Sequence, residues 1–569
     1  MLGKTTKVVR SKSSTRLAAL VAVSVLLVAC GSDGSTANDS NGGETTNGNT
    51  ESTDANTEST DANTENTDAN TDSSAGGDST SAETPAEGDP VQGGTLRVAH
   101  PTAPTTLDPA AGNSGYDHIY LYPMFDTLVN FVPETLEALP GLASSWEFTD
   151  ETTLVLNLNE GVSFHDGTAF NAEAVKANLE RSKTWEKSNI AGDLINVDTV
   201  DVVDEYTVQI NLTQPDTALP LILSDRAGMM VSPTAFNTDP DGFGQNPVGT
   251  GPFQFDEWLT GESVTVKRND NYWGDPAHLD SIVFSIIIDR DTAINAVLSG
   301  QQDFTFNVDP TQLARVENED GIVNNQSAGL FHYEFYTNNG RPPFDDVRVR
   351  QAMNYAIDRD SYLQATQFGT GEVAWHPIPS AHWAFPADQV PTYGYNPEKA
   401  RELLSEAGYA DGLTIEVVGW TADPDVRRAE VLQQQLADVG VTMNITATEV
   451  PQATAAFFND KNYDAYLAAW TGRPDPSLTY SLLFGMGGYF NAAAYEAPGL
   501  EAALQKTRAV SDQGERTEAF GEASRIIADE ALYVPLAYPP DFAVYRDTVQ
   551  GYVPNLLAKP KFAYIWLTE

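Results

Sequence analysis

From residue 396 onward the chain alternates two hydrophobic rhythms. Ala400, Leu403, Leu404 and Ala407 recur at helical spacing behind Asn396 and Pro397, and Gly408 follows. Asn caps helices, Pro is preorganised for a first helical turn, and Gly tolerates the left-handed backbone that ends one, so this pattern predicts a helix over 397–407. Leu413 to Val418 then reads as a strand. Ala429, Leu432, Leu436 and Val439 predict a second helix over 426–439, stopped at Gly440, and beyond it Val441, Met443, Ile445 and Ala447 alternate with polar residues as a strand does. Helices alternating with strands predict an α/β architecture.

The same reading places strands at 95–99, 153–158, 206–212, 263–268 and 281–288, and helices at 171–184 and 291–299. The segment 164–179 predicts a turn at Asp166-Gly167 and a helix capped by Asn171, with Phe170, Val175 and Leu179 packing inward. "GTGPF" at 249–253 is a Gly and Pro turn into a strand, with neither the Lys nor the spacing of a phosphate loop. Arg348 and Arg350, near the start of another helix, are expected to pair with nearby carboxylates.

The first ninety residues follow a different logic. Lys4, Lys7, Arg10, Lys12 and Arg16 precede the uncharged apolar run Leu17–Ala29, the pattern of a secretory signal over residues 1–29. The run ends at Cys30, the one cysteine in the chain, in a Leu-Val-Ala-Cys context that resembles a bacterial lipobox. Cys30 is therefore expected to be lipidated, and no disulfide framework is expected. Residues 30–90 read as a disordered acidic linker containing the repeats NTESTDA, NTESTDA and NTENTDA. Only one Ala recurs per heptad, too little for a coiled coil. As a flexible coil the linker would span roughly 40–45 Å, and about 200 Å fully extended.

Charge narrows the functional classes. Of the net −48, residues 1–30 carry +5 and residues 31–90 carry −14, leaving 27 basic and 66 acidic residues, −39, on the body. Such a surface excludes nucleic acid as a partner and disfavours anionic membranes.

Nine motifs in order, from "GGTLRVA" and "LDPA" through "PGLASSWEFTDETTLVLNLNEGVSFHDGTAFNAEAVKANLER", "GTGPFQFDEW" and "NNGRPPFDDVRVRQAMNYAIDRD" to "YNPEKARELLSEAGY" and "YDAYLAAWTGRPDP", resemble the family 5 extracellular solute-binding proteins, the peptide- and nickel-binding receptors of ABC importers. The resemblance runs from Gly93 to the C-terminus. It implies a two-lobe, periplasmic-binding-protein-like (Venus-flytrap) α/β fold with an extra N-terminal subdomain and a hinged inter-lobe cleft. The implied pieces are 93–138, 213–337 and 537–569 for the first lobe, 139–212 for the subdomain and 338–536 for the second lobe. It also implies a lipid-anchored, extracytoplasmic monomer that captures a peptide or peptide-like solute and delivers it to permease and ATPase subunits, without a cofactor or metal.

In peptide-binding members the segment W-x-x-D or W-x-G-D after a "YD" strand supplies the Asp that pairs with the peptide's α-amine. Here Trp470 and Gly472 fit and the next position is Arg473, which inverts the charge. A guanidinium there would repel an ammonium and offer a planar fork to a carboxylate, phosphate or sulfate. Two other readings stay open: Asp475 takes the amine place, or Arg473 pairs internally with Asp475 or Asp423. Trp470 is a candidate stacking wall, Trp420 a further candidate contact, and Trp375 and His376 are expected to line the cleft because the corresponding region contributes ligand contacts in relatives. The sequence keeps open a non-peptide acidic or sugar-derived solute or a metal chelate, a secreted hydrolase, and an adhesion or chaperone-like module. Against an enzyme, there is no G-x-S-x-G elbow, HExxH motif, cysteine nucleophile or dinucleotide fingerprint.

Overall fold

The computed structural model describes residues 89–112, 114–389 and 392–568. Cys30, the signal segment and the linker up to residue 88 lie outside them.

Two twisted sheets organise the body. The first has seven strands in the order Ile322–Ser327, Asp541–Arg546, Phe304–Phe306, Thr95–His100, Ser281–Ile286, Ser263–Arg268 and Phe253–Leu259. The second has six: Glu372–Val373, Tyr533–Tyr538, His332–Thr337, Ala465–Trp470, Leu413–Trp420 and Val441–Thr448. A four-stranded antiparallel sheet, Ala143–Asp150, Thr153–Leu158, Thr207–Leu212 and Val197–Asp204, forms a smaller body of its own.

The periodic segments fold as their patterns dictate. Asn396 accepts the Lys399 amide at 3.0 Å to cap the helix Pro397–Glu406, whose Ala400, Leu403 and Leu404 are buried. The following helix, Asp423–Ala437, starts three residues before the hydrophobic repeat does, because Pro424 is accommodated in its first turn. That helix joins two parallel neighbours, Leu413–Trp420 and Val441–Thr448, paired in register from Leu413 opposite Val441 to Trp420 opposite Thr448. Asn171 caps Ala172–Thr184 by accepting the Ala174 amide at 3.1 Å, and Phe170, Val175 and Leu179 enter the core beneath the four-stranded sheet. Arg348 pairs with Asp346 at 2.6 Å and Arg350 with Glu530 at 3.5 Å.

The chain passes between the two large sheets in two short stretches. Residues 328–331 join Ile322–Ser327 to His332–Thr337, and Pro539-Pro540 joins Tyr533–Tyr538 to Asp541–Arg546. Neither proline has an N–H to donate to a ladder, and one strand ends before this pair and the next begins after it. Leu330, 3% exposed, anchors the first passage in a cluster with Phe131, Leu221 and Leu556, and its amide donates to the Leu556 carbonyl at 2.8 Å.

Farther from the passages, the helices after Ala465–Trp470 reach across to the smaller body. Leu478 is buried in the core cluster that contains Leu219 and Ile222. Arg508 ion-pairs with Asp216, its Nε donating to Oδ1 at 2.9 Å, while the Thr217 amide donates to the Arg508 carbonyl at 2.8 Å and the Thr217 hydroxyl to the Val510 carbonyl at 2.7 Å. Asp216 is 2% exposed, so removing its cation strands a buried charge. Arg508→Ala is expected to reduce unfolding free energy by about 3–5 kcal/mol and to raise the radius of gyration seen by small-angle X-ray scattering, with helical circular dichroism unchanged. An unaltered radius would show that this pair does not hold the two bodies together.

Candidate functional site

The strands Leu413–Trp420 and Ala465–Trp470 run parallel and end on the side where the chain crosses to the first sheet, next to His332, which pairs with Trp470, and to Tyr538. In open α/β sheets the loops at the carboxyl ends of strands are where a ligand meets the protein. Residues 471–474 are such a loop. Gly472 has φ +72°, and a Cβ on it would lie 2.3 Å from the Cβ of Leu330, so glycine lets the loop rest directly on the crossing passage.

Trp470 is 3% exposed. Its Nε1 donates to Thr479 Oγ1 at 3.1 Å, and its ring meets Phe490 edge-on at 4.9 Å. The Arg473 guanidinium lies 4.8 Å from that ring and donates to the Gly472 carbonyl at 2.8 Å. Among the described residues no carboxylate is within ion-pairing distance of Arg473. Burial lowers its pKa, and the charges that act on it, Asp193, Asp225 and Arg226, come from the other side of the crossing. Arg473 is thus enclosed by protein while its side chain keeps partial access to the space between the bodies.

The facing wall is also charged. Asp225 accepts the Arg226 amide at 2.9 Å and pairs with His118 Nε2, and Lys559 Nζ lies 3.4 Å from that same imidazole nitrogen. Burial pulls His118 down to about 4 despite Asp225, so the ring is neutral near pH 7. Burial opposes ionisation of Asp225 too, but the hydrogen bond from His118 and the charges of Lys559 and Arg226 overcome it and hold its pKa well below the usual carboxylate value. Lys559 and Lys561 are brought down by burial to about 8. Lys561 packs 3.9 Å from the Phe131 ring and donates to Asn130 Oδ1 at 3.0 Å. Cations from both sides therefore gather around the loop in a body that is strongly acidic overall.

A carboxylate occupies the crossing itself. Asp541 is 8% exposed, has no ion-pair partner among the described residues, and is pushed up by burial to about 7. Tyr116 feels it together with Arg290 and Asp425, but Asp425 is engaged by Arg428.

The sequence-derived candidates divide into three groups. Trp470, Arg473 and Trp420 share one neighbourhood: the Trp420 Nε1 donates to the Tyr466 hydroxyl at 2.6 Å, and Trp420 packs on the aromatic cluster that holds Trp470. Asp475 is next to them in sequence but is turned inward. It is 0% exposed, accepts the Ser477 amide at 2.9 Å as cap of the helix Pro476–Phe484, and takes Arg516 Nη2 on both oxygens at 3.0 and 2.9 Å. Burial would raise its pKa, and Arg516 keeps it below the ordinary value. With its oxygens used in this way, Asp475 is neither a free anchor for an amine nor the partner of Arg473. Trp375 and His376 form the third group, on the wall of a separate cavity whose lining does not include Trp420, Trp470 or Arg473. The backbone there runs beside Tyr533–Tyr538, with Ala374 donating to the Leu536 carbonyl at 3.2 Å.

Sequence reasoning missed His118, Arg226, Asp541 and Lys559. A carboxylate directly after a proline pair between two apolar strands was the one available signal, at Asp541. Asp475→Ala is expected to lower unfolding free energy by about 3–5 kcal/mol in urea denaturation, because Arg516, 6% exposed, loses its counter-charge. A change below about 1 kcal/mol would contradict this assignment.

Comparison with known proteins places this geometry. The model of bacterial extracellular solute-binding proteins, family 5 (middle), matches residues 137–491. The dipeptide-binding protein of Escherichia coli is 30% identical over 509 residues, covering 83% of this chain and 94% of that one. The glutathione-binding protein GsiB of Pectobacterium atrosepticum is 31% identical over 452 residues, 76% of this chain and 86% of its own. The periplasmic binding protein DppA of Helicobacter pylori, solved with the peptide STSA, superposes with a TM-score of 0.74 at 27% identity, over 84% of this chain and 99% of that one. With two sheets joined by two short passages, and with a family model that matches well over half of its length, the chain belongs to the family 5 bacterial extracellular solute-binding proteins.

Proposed function

We propose that this receptor captures a peptide-like solute carrying a carboxylate, enclosed between the lobes built on the two large sheets, and passes it to an ABC permease. The lobes exchange chain at 328–331 and 539–540, with 139–212 as the subdomain. The observation that carries the reading is Arg473: an enclosed guanidinium on a strand-end loop, without a carboxylate partner among the described residues, facing Arg226 and Lys559. An ammonium about 4 Å from Arg473 would be repelled by about 4 kcal/mol at an effective dielectric of 20, whereas a carboxylate is attracted by a similar amount. Asp541, at the crossing, is the available counter-group for the amine of a zwitterion. The relatives that bind dipeptides and glutathione support the peptide-like class. A non-peptide acid is the second reading, and it rests on the same guanidinium.

The body is held to the membrane by a lipid on Cys30, through the acidic linker, and acts as a monomer without turnover. Among the described residues no helix is long and apolar enough to cross a membrane.

A thermal-shift series with Glu-Glu, Ala-Ala and Lys-Lys dipeptides and succinate tests the ligand class. Glu-Glu is expected to stabilise most, by about 2.7 kcal/mol at a hundredfold excess over Kd, and to be recovered unchanged by mass spectrometry. Arg473→Gln is expected to weaken it at least tenfold. Preferential stabilisation by Lys-Lys, or cleavage of the dipeptide, would overturn the reading. Affinity for the anion is expected to fall between pH 7 and 9, because Lys559 and Lys561, at about 8, lose their positive charge as pH rises through that value. Calorimetric titration at pH 7 and pH 9 measures it.

A further inference from the structure

A cavity of about 330 Å³ lies within the second lobe, with Asn354, Arg359, Trp375, His376, Ala528 and Tyr533 on its wall. That volume is at the lower end of ligand pockets, which begin at about 300 Å³. Its most buried charge is Arg359, 3% exposed, at the start of the helix Arg359–Gln367. A guanidinium has five N–H donors. Three of those of Arg359 go to neutral oxygens: Nε to the Pro535 carbonyl at 2.7 Å, Nη1 to the Asn354 carbonyl at 3.1 Å and Nη2 to Asn354 Oδ1 at 2.8 Å. One N–H remains on each terminal nitrogen.

The Trp375 ring lies 4.8 Å from the same guanidinium. Among the described residues no carboxylate is within ion-pairing distance of Arg359. Glu334, fully buried, is 3.4 Å from His332 instead, and Asp529 and Arg525, which also line the cavity, are exposed. A buried cation without a counter-charge is unfavourable by several kcal/mol unless an anion joins it. Ser524, buried and on the same wall, has its hydroxyl bonded to that of Tyr480 at 2.7 Å, so Arg359 holds the free donors of the cavity. His376, drawn by burial down to about 4, is neutral near pH 7 and leaves Arg359 as the buried cation of the wall.

We propose that this cavity is a second anion site, separate from the inter-lobe cleft, which takes a small solute of amino-acid size by its carboxylate, held by the two free N–H groups of Arg359. Trp375 forms the apolar side against which the rest of the solute packs. The site does not depend on what the cleft binds, since none of the cleft residues above contributes to its wall.

Acetate and its neutral isostere acetamide are the probes, followed by saturation-transfer NMR on the full chain carrying Arg473→Gln, so that the guanidinium of the cleft is absent. Acetate is expected to bind at least tenfold more tightly than acetamide. Ala528→Phe, which fills the cavity from the helix Gln513–Asp529 and leaves Arg359 and its partners in place, is expected to abolish that binding without changing the circular dichroism spectrum. Arg359→Lys, which keeps the charge but not the fork, is expected to weaken it several-fold. Equal binding of acetate and acetamide, no binding of either, or acetate binding that survives Ala528→Phe would overturn the proposal.

Discussion

Everything about the site follows from how little chain connects the two large sheets. Pro539 and Pro540 cannot donate to a ladder, so the strand before them ends at Tyr538 and the next begins at Asp541 in a different sheet. The companion passage is fixed by Leu330, which is sunk into one lobe while Gly472 of the other lies against it. Because that contact excludes even a methyl group, the loop carrying Arg473 is held at the crossing, where small rotations of the lobes move it least. A hinge built from a few strand-end residues and a loop seated on it together keep the charged group in register as the cleft opens and shuts.

The electrostatics then run against the surroundings. A body with 66 acidic and 27 basic residues repels anions at long range, yet at about 0.15 M salt that repulsion is screened within about 8 Å. Between the lobes the screening is weaker, and the mutually interacting cations Arg473, Arg226 and Lys559 face the carboxylates Asp225 and Asp193. The acidic exterior therefore limits the encounter rate more than it limits affinity, and helps keep these partly buried cations protonated. The depressed pKa values of the two lysines record the desolvation that a bound anion would offset.

What could be read from the sequence was whatever depends on neighbours along the chain. The helix–strand unit from Asn396 to Thr448 was legible because caps, apolar faces and stops are all local. Arg473 stood out as a lone cation among apolar residues. The fate of Asp475 did not, since Arg516 is 41 positions away, and neither did the approach of Lys559 to His118 across 441 positions. Trp375 and His376 were candidates only through the resemblance, since no local pattern in that loop distinguishes a ligand contact from packing. They follow the short edge strand Glu372–Val373 beside Tyr533–Tyr538, where the Tyr538 hydroxyl donates to the His376 carbonyl at 2.7 Å.

Closure and recognition are separable in this molecule. The Arg508–Asp216 pair, the two bonds of Thr217 and the burial of Leu478 join the lobes at a distance from the strand-end loop and require no solute. A ligand shifts such an equilibrium only by the difference between its affinities for the closed and open forms. To move a population from mostly open to mostly closed takes about 5.5 kcal/mol of that difference. The solute supplies that difference through groups it meets from both lobes at once. Arg473 on one side and Arg226 with Lys559 on the other form such a set, and a single carboxylate placed between them would bind the closed form in preference to the open one.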